Sequence, residues 1–237
     1  EDFQPYVERL SKHEINQDYI KIIPDTLTAQ AYITTDLDDN QITAFHPGAM
    51  TQSHKNSINS ITENIDLAII APDGKDGMIQ HASECIKKNI PFLFDPGQGL
   101  PMFDKDELMV FIDQAKYIAL NDYELQLILD KTKITLKELS DSVDALIVTK
   151  GSQGSVIHSQ NEIINIDAIP VNTPVDPTGC GDAFRAGLIY GIVNNFNWEK
   201  SGQLASVMGA IKINHKGGQN HTAQISDIEK LFGSPLS

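Results

Sequence analysis

Val175-Asp176-Pro177-Thr178-Gly179-Cys180-Gly181-Asp182-Ala183-Phe184 stands immediately before a long apolar segment, and its reading decides the rest of the chain. Residues 183–196 carry the helical period. A glycine-rich turn that feeds a helix leaves several backbone N–H groups unpaired and pointing one way, which suits phosphate or any developing negative charge. Asp182 falls at the same helix start, where a carboxylate is stable as the anion. Donor amides around an ionised carboxylate suit one job. The amides hold a phosphoryl group while the carboxylate takes a proton from the hydroxyl that attacks it. A tight turn with an N-capping Asp would use the same residues. The longer string Asp-Pro-Thr-Gly-x-Gly-Asp-x-Phe-x-x-Gly is far more specific than a bare Gly-x-Gly and favours the phosphoryl site.

Outward from this block, short apolar runs alternate with helical patterns. Residues 65–71, 91–95, 117–120 and 145–149 read as strands, and 76–89, 105–115 and 121–129 as helices. That alternation predicts right-handed crossovers and a parallel sheet covered on both faces. Residues 154–158 and 163–171 read as an antiparallel pair. Helices over 182–195, 198–215 and 226–232 follow. Before residue 64 the chain is more polar. A short helix is expected at 7–13 and a strand at 19–23. A hairpin has arms at 28–34 and 41–45, with Asp36-Leu37-Asp38-Asp39-Asn40 as its turn.

In an open parallel sheet the ligand sits beyond the carboxyl ends of the strands, and further motifs fall there. Asn121-Asp122-Tyr123-Glu124 follows one strand. Asn121 and Glu124 share a face of a first helical turn, so an amide oxygen and a carboxylate can address one magnesium-bound water. The same spacing is that of an N-cap with a capping-box Glu, and the residues by themselves favour the cap. Val148-Thr149-Lys150-Gly151-Ser152-Gln153-Gly154 closes the next strand. Its glycines permit close backbone approach to a ligand, although a glycine hairpin turn is the simpler local reading. Arg185, one turn past Asp182, reaches either the transferred phosphoryl or a surface carboxylate, and the surface pair is the simpler expectation. Cys180 has no neighbouring His or Lys to depress its pKa and reads as a backbone donor rather than a nucleophile.

The formal net charge of −14 argues against a nucleic-acid surface, which needs a basic stripe. Phosphates of a small ligand would then be met locally, by amides and a metal. Cys85 and Cys180 have neither zinc nor disulfide-framework spacing, and a reducing cytoplasm fits them. No apolar run approaches membrane-spanning length.

The 176–187 block resembles the C-terminal signature of the ribokinase-like, or PfkB, carbohydrate and nucleoside kinases. The resemblance implies a three-layer α/β/α fold with a mostly parallel central sheet and a small β lid. Residues 1–237 would form one kinase domain, with a lid hairpin at about 26–50 and a core at about 64–237. It implies Asp182 as catalytic base and the amides of Gly179, Cys180 and Gly181 as anion hole; Cys180 departs from the small residue usual at its position. It places Thr149 and Gly151 against the nucleotide. It associates Asn121 and Glu124 with Mg²⁺, and Asp176 and Thr178 with a monovalent cation, K⁺. The loop His215-Lys216-Gly217-Gly218-Gln219-Asn220-His221 resembles the segment beside the adenine, which makes Gly218 and Gln219 nucleotide contacts.

ATP-dependent phosphorylation of a primary hydroxyl is the activity so implied. Adenosine is the favoured acceptor, because Thr28–Tyr32 and Phe45–Met50 resemble bacterial adenosine kinases. Ribose or a hexose is the alternative. In the family several strands precede the stretch matching Glu1-Asp2-Phe3-Gln4, and they carry Asp and Gly-Gly-x-x-x-Asn elements that grip sugar hydroxyls. Those are expected to be missing from this chain, which keeps open a non-catalytic nucleotide-binding module. A homodimer through the lid hairpin is a further expectation.

Overall fold

A computed structural model describes residues 2–35, 41–160 and 162–236. Its centre is a six-stranded sheet in sequential order: β3 (Ala68–Ile70), β4 (Phe92–Phe94), β5 (Tyr117–Asn121), β6 (Ala145–Thr149), β7 (Ser155–Ser159) and β8 (Glu162–Ile166). The first four are parallel and the last two antiparallel, as the alternation of patterns predicts.

Both faces of the parallel strands are buried, and the period of two in the sequence decides which residue faces which layer. Phe92, Phe94, Ile118, Leu120, Leu146 and Val148 pack with α2 (Lys75–Lys87), α3 (Lys105–Gln114) and α4 (Asp122–Thr132). Leu93, Tyr117, Ala119, Ala145 and Ile147 face the other way, onto α6 (Cys180–Val193) and α7 (Trp198–Ile213). The result is three layers, α/β/α. A short α5 (Leu136–Asp141) follows Thr135, whose side chain makes a capping box with Glu138; this helix was not read from the sequence. α1 (Gln4–Lys12) and α8 (Ile225–Phe232) lie near the two ends of the described chain.

The small sheet pairs β1 (Gln30–Thr35) with β2 (Gln41–His46), antiparallel and separate from the large one. The expected turn over 36–40 lies outside the described residues. The strand expected at 19–23 is absent: Ile22 is exposed and this stretch joins no sheet, so β-branched composition alone did not make a strand where nothing pairs with it. The strand expected over 163–171 ends at Ile166. Its partner β7 begins at Ser155, opposite Ile166, so the ladder has no further neighbour. The helix expected to start at 182 or 183 starts at Cys180 and ends at Val193.

α6 and α7 pack against each other, and glycines set how near they come. A Cβ on Gly187 would stand 2.8 Å from Ala205 Cα and 2.9 Å from the Leu204 carbonyl oxygen. Both are backbone atoms that cannot yield by a rotamer change. Gly187→Val is expected to destabilise the protein by about 1–3 kcal/mol through overpacking. Denaturant titration should show a lower midpoint at unchanged slope; an unchanged midpoint would mean that the two helices separate freely.

Candidate active site

β4, β5 and β6 end side by side, and the start of α6 faces the same edge. Asn121 and Thr149 are direct register partners on β5 and β6. Asp95 follows β4, its amide donating to the Ile70 carbonyl oxygen of β3 at 2.9 Å. Asp182 is the third residue of α6. The sheet edge therefore brings Asn121, Glu124, Thr149, Asp95 and Asp182 into one region. The electrostatics agree: burial pushes the Asp95 carboxyl up to about 6, against the pull of Arg185, and the nearby charges of Glu124 and Asp182 add to the rise.

The glycine turn owes its shape to Gly179, which caps α6 in the left-handed region at φ 81°. A Cβ there would also stand 3.0 Å from the Gly218 carbonyl oxygen and 3.1 Å from Gly218 Cα. That close approach places Gly218 directly against the turn. The Cys180 amide donates to the Pro177 carbonyl oxygen at 3.0 Å and is not free, which corrects its expected place in the anion hole. The amides of Gly179, Gly181 and Asp182 donate to no protein acceptor among the described residues. Asp182 is exposed, and its carboxylate accepts no hydrogen bond among the described residues. Burial pushes the Cys180 thiol up, away from the thiolate a nucleophile needs.

Asp176 fastens the turn. Its Oδ1 accepts from the Thr178 amide at 2.9 Å and its Oδ2 from the Gly217 amide at 2.7 Å. The Gly217 and Thr178 hydrogen bonds hold its carboxyl down, from 3.8 to about 2.

Asn121 and Glu124 form the complete capping box of α4. Asn121 Oδ1 accepts from the Glu124 amide at 2.7 Å and Glu124 Oε2 from the Asn121 amide at 2.8 Å. The cap reading of the sequence is thus realised. It leaves Glu124 Oε1 without a hydrogen bond among the described residues, so a carboxylate oxygen is still free for a metal-bound water. No three His, Cys, Asp or Glu side chains cluster as a metal cage among the described residues. Magnesium fits here only in the form it usually takes, with waters and substrate phosphates as most of its ligands.

Thr149 Oγ1 donates to the Leu120 carbonyl oxygen at 3.3 Å, and Gly151 opens a single 3₁₀ turn with φ 56°. The Gln219 carbonyl oxygen accepts from Arg9. Gln219 also lines a cavity of about 250 Å³ with Tyr6, Arg9, His13 and His221. A larger groove of about 700 Å³ between α5 and the β7–β8 edge contains none of the expected site residues.

Arg185 does not make the expected surface pair. Its Nη2 donates to Asp95 Oδ1 at 2.7 Å and its Nε faces Oδ2, with side chains 13% and 6% exposed. A buried pair of this kind strongly resists loss of one partner, because the other charge is left unpaired. Its Nη1 lies over Gly181, where a Cβ would be 2.6 Å away. Asp95 and Lys212 were missed in the sequence. Asp95 ends an apolar strand at the carboxyl edge, and Lys212 interrupts the apolar run Ala210-Ile211-Lys212-Ile213; each was a visible signal.

A family model described as "pfkB family carbohydrate kinase" matches residues 2–225. The chain belongs to this family of kinases. It is 32% identical over 216 residues to a nucleoside kinase of Methanocaldococcus jannaschii, covering 91% of this chain and 70% of that protein. Its fold is similar to that of Burkholderia thailandensis nucleoside kinase in complex with inosine, at 48% identity and a TM-score of 0.94, covering 99% of this chain and 78% of that one. The same kinase in an ADP–inosine complex superposes with a TM-score of 0.94 over 99% of this chain and 73% of that one. No helix among the described residues is long and apolar enough to cross a membrane.

The depressed Asp176 carboxyl has a definite pH consequence. Its folded value lies below its unfolded value, so its stabilisation is complete above the ordinary carboxylate range and is lost as pH falls toward about 2. Denaturant melts of the wild type and Asp176→Asn should differ most above that range and converge on acidification. A gap that does not narrow would mean that the Gly217 and Thr178 bonds do not depend on the charge.

Proposed function

We propose that this chain is an ATP-dependent nucleoside kinase that phosphorylates a primary hydroxyl of a purine nucleoside. The observation that carries the reading is the start of α6: an unpaired Asp182 carboxylate beside unpaired amides of Gly179, Gly181 and Asp182, at the carboxyl edge of a parallel sheet. Adenosine is the acceptor favoured by the sequence. Inosine joins it because a relative at 48% identity was solved with inosine bound. ATP as donor rests on the kinase family and on the ADP–inosine complex of that relative.

In this reading Asp182 takes the hydroxyl proton as the new O–P bond forms and the bond to the ADP oxygen breaks. The free amides hold the phosphoryl oxygens as charge moves from the attacking to the leaving oxygen. Asp182 then releases its proton to solvent, which its exposure permits. Arg185, fixed by Asp95, adds a positive charge next to Gly181. Thr149 and Gly151 flank the nucleotide on one side, and Gly218 and Gln219 on the other. Bound Mg²⁺, oriented through water by Asn121 and Glu124, would neutralise phosphate charge.

The two-stranded sheet suits a lid. Tyr32 and Ile42 are exposed on one of its faces and Ile33 and Phe45 on the other. One face would cover the acceptor, and the other would meet a second copy of the chain. The free thiols of Cys85 and Cys180 agree with a reducing, cytoplasmic setting.

Coupled ADP release should be measured with adenosine, inosine, ribose and fructose as acceptors. The nucleosides are expected to turn over fastest; release with ribose or fructose alone would make the chain a sugar kinase, and none with any acceptor would leave a nucleotide-binding module. Asp182→Asn is expected to lower kcat by about 10²–10⁴-fold while nucleotide affinity stays close to wild type. Near-wild-type turnover in that variant would remove Asp182 as the base. Glu124→Gln keeps a side-chain oxygen for the cap but loses the charge. It should melt close to wild type yet need more Mg²⁺ for half-maximal rate, whereas an unchanged Mg²⁺ titration would assign Glu124 to the cap alone.

A further inference from the structure

The fold is accompanied in this chain by a side-chain cation that the sequence reading did not use. Lys212 is 0% exposed. Its Nζ donates to the Asp176 carbonyl oxygen at 2.8 Å and to the His215 carbonyl oxygen at 3.0 Å. The first carbonyl belongs to the glycine turn, whose Asp176 and Thr178 were expected to hold a potassium ion, and the second to the loop after α7 that packs against it. Neighbouring oxygens of Asp176 and Ile213 are also engaged. Both carboxylate oxygens of Asp176 accept backbone amides. The Ile213 carbonyl oxygen accepts from Val175 at 2.9 Å and from Asp176 at 3.2 Å. A metal cation needs several oxygen lone pairs turned inward, and here backbone N–H groups and the Lys212 ammonium already engage the Asp176, His215 and Ile213 oxygens. The expected K⁺ does not fit this donor set.

We propose that the Lys212 ammonium is the resident cation of the glycine turn and replaces a monovalent metal ion there, so that the protein works without K⁺. An ammonium group carries the same single charge as potassium and engages carbonyl oxygens through directed N–H bonds, but it is tethered and cannot be diluted out. A buried charge is tolerated only when paired and hydrogen-bonded. Lys212 has two carbonyl acceptors and lies close enough to Asp176 to help hold that carboxyl down. Asp176 in turn orients the segment whose amides face the phosphoryl site. The ammonium thereby stabilises the loop-to-turn junction without contributing a group to the reaction.

The stability arm of the test is independent of the kinase reading; the activity arm rests on it. Wild-type protein freed of alkali metal should be melted, and assayed for ADP release, in KCl, NaCl and choline chloride at constant ionic strength. A K⁺ ion bound by the folded state would raise Tm with concentration. The expected result is the same Tm and the same rate in all three salts. A saturable rise of either with KCl, absent in choline chloride, overturns the proposal. Lys212→Met removes the ammonium and keeps most of the side-chain stem. In choline chloride it should melt lower and turn over more slowly, with recovery in KCl or ammonium chloride. A Lys212→Met protein that matches wild type in choline chloride, or is equally impaired in every salt, also overturns it. If that variant cannot be obtained folded, the wild-type titration decides alone. If wild type releases ADP with no acceptor, the kinase reading fails while the Tm comparison still judges Lys212.

Discussion

The attachment of Asp176 to the far side of its own turn is the constraint on which the candidate site depends. One carboxylate takes the amide of Thr178, two residues on, and the amide of Gly217, beyond α7. The first bond curls the turn and the second pins it to the loop that brings Gly218 against Gly179. Lys212 reinforces the same junction from within the protein. A turn held at both ends keeps its unpaired amides aimed without a side-chain cap, and such preorganised donors are what a developing negative charge requires.

Packing sets where that turn stands. α6 lies on one layer of the sheet because Phe184 and Leu188 bury against alternate residues of β4, β5 and β6. Its glycines let α7 come close enough to carry Lys212 and the 215–218 loop to the start of α6. From the sheet side, Asp95 at the end of β4 reaches Arg185 on α6, so an ion pair joins the strand layer to the helix that carries Asp182. The two junctions, one polar and backbone-directed, the other ionic, fix the start of α6 from opposite sides.

An observed cap and a proposed metal role are compatible in one pair of residues. Asn121 and Glu124 cap α4 and still leave Glu124 Oε1 free, since a capping box occupies only one oxygen of the carboxylate. Cys180 is the converse case. Its amide looked like one donor among several, but the tight turn closes a bond to Pro177 and removes it from use. Sequence spacing shows which groups are near one another; it does not show which lone pair or N–H is already taken.

By itself, the sequence determined the order of strands and helices, the two-sided burial of the parallel strands and the presence of a glycine turn entering α6. These follow from local periodicity and from backbone chemistry that a few neighbouring residues dictate. It also placed Asn121, Thr149 and Asp182 at strand or helix ends, where topology sends them to one edge. It misjudged residues 19–23, whose apolar β-branched composition found no neighbouring strand. Only the tertiary structure decided the partner of Arg185, the position of Lys212 and the use of both Asp176 oxygens. Each of those joins groups far apart in the chain, and long-range pairing depends on how the layers pack rather than on any local run of residues.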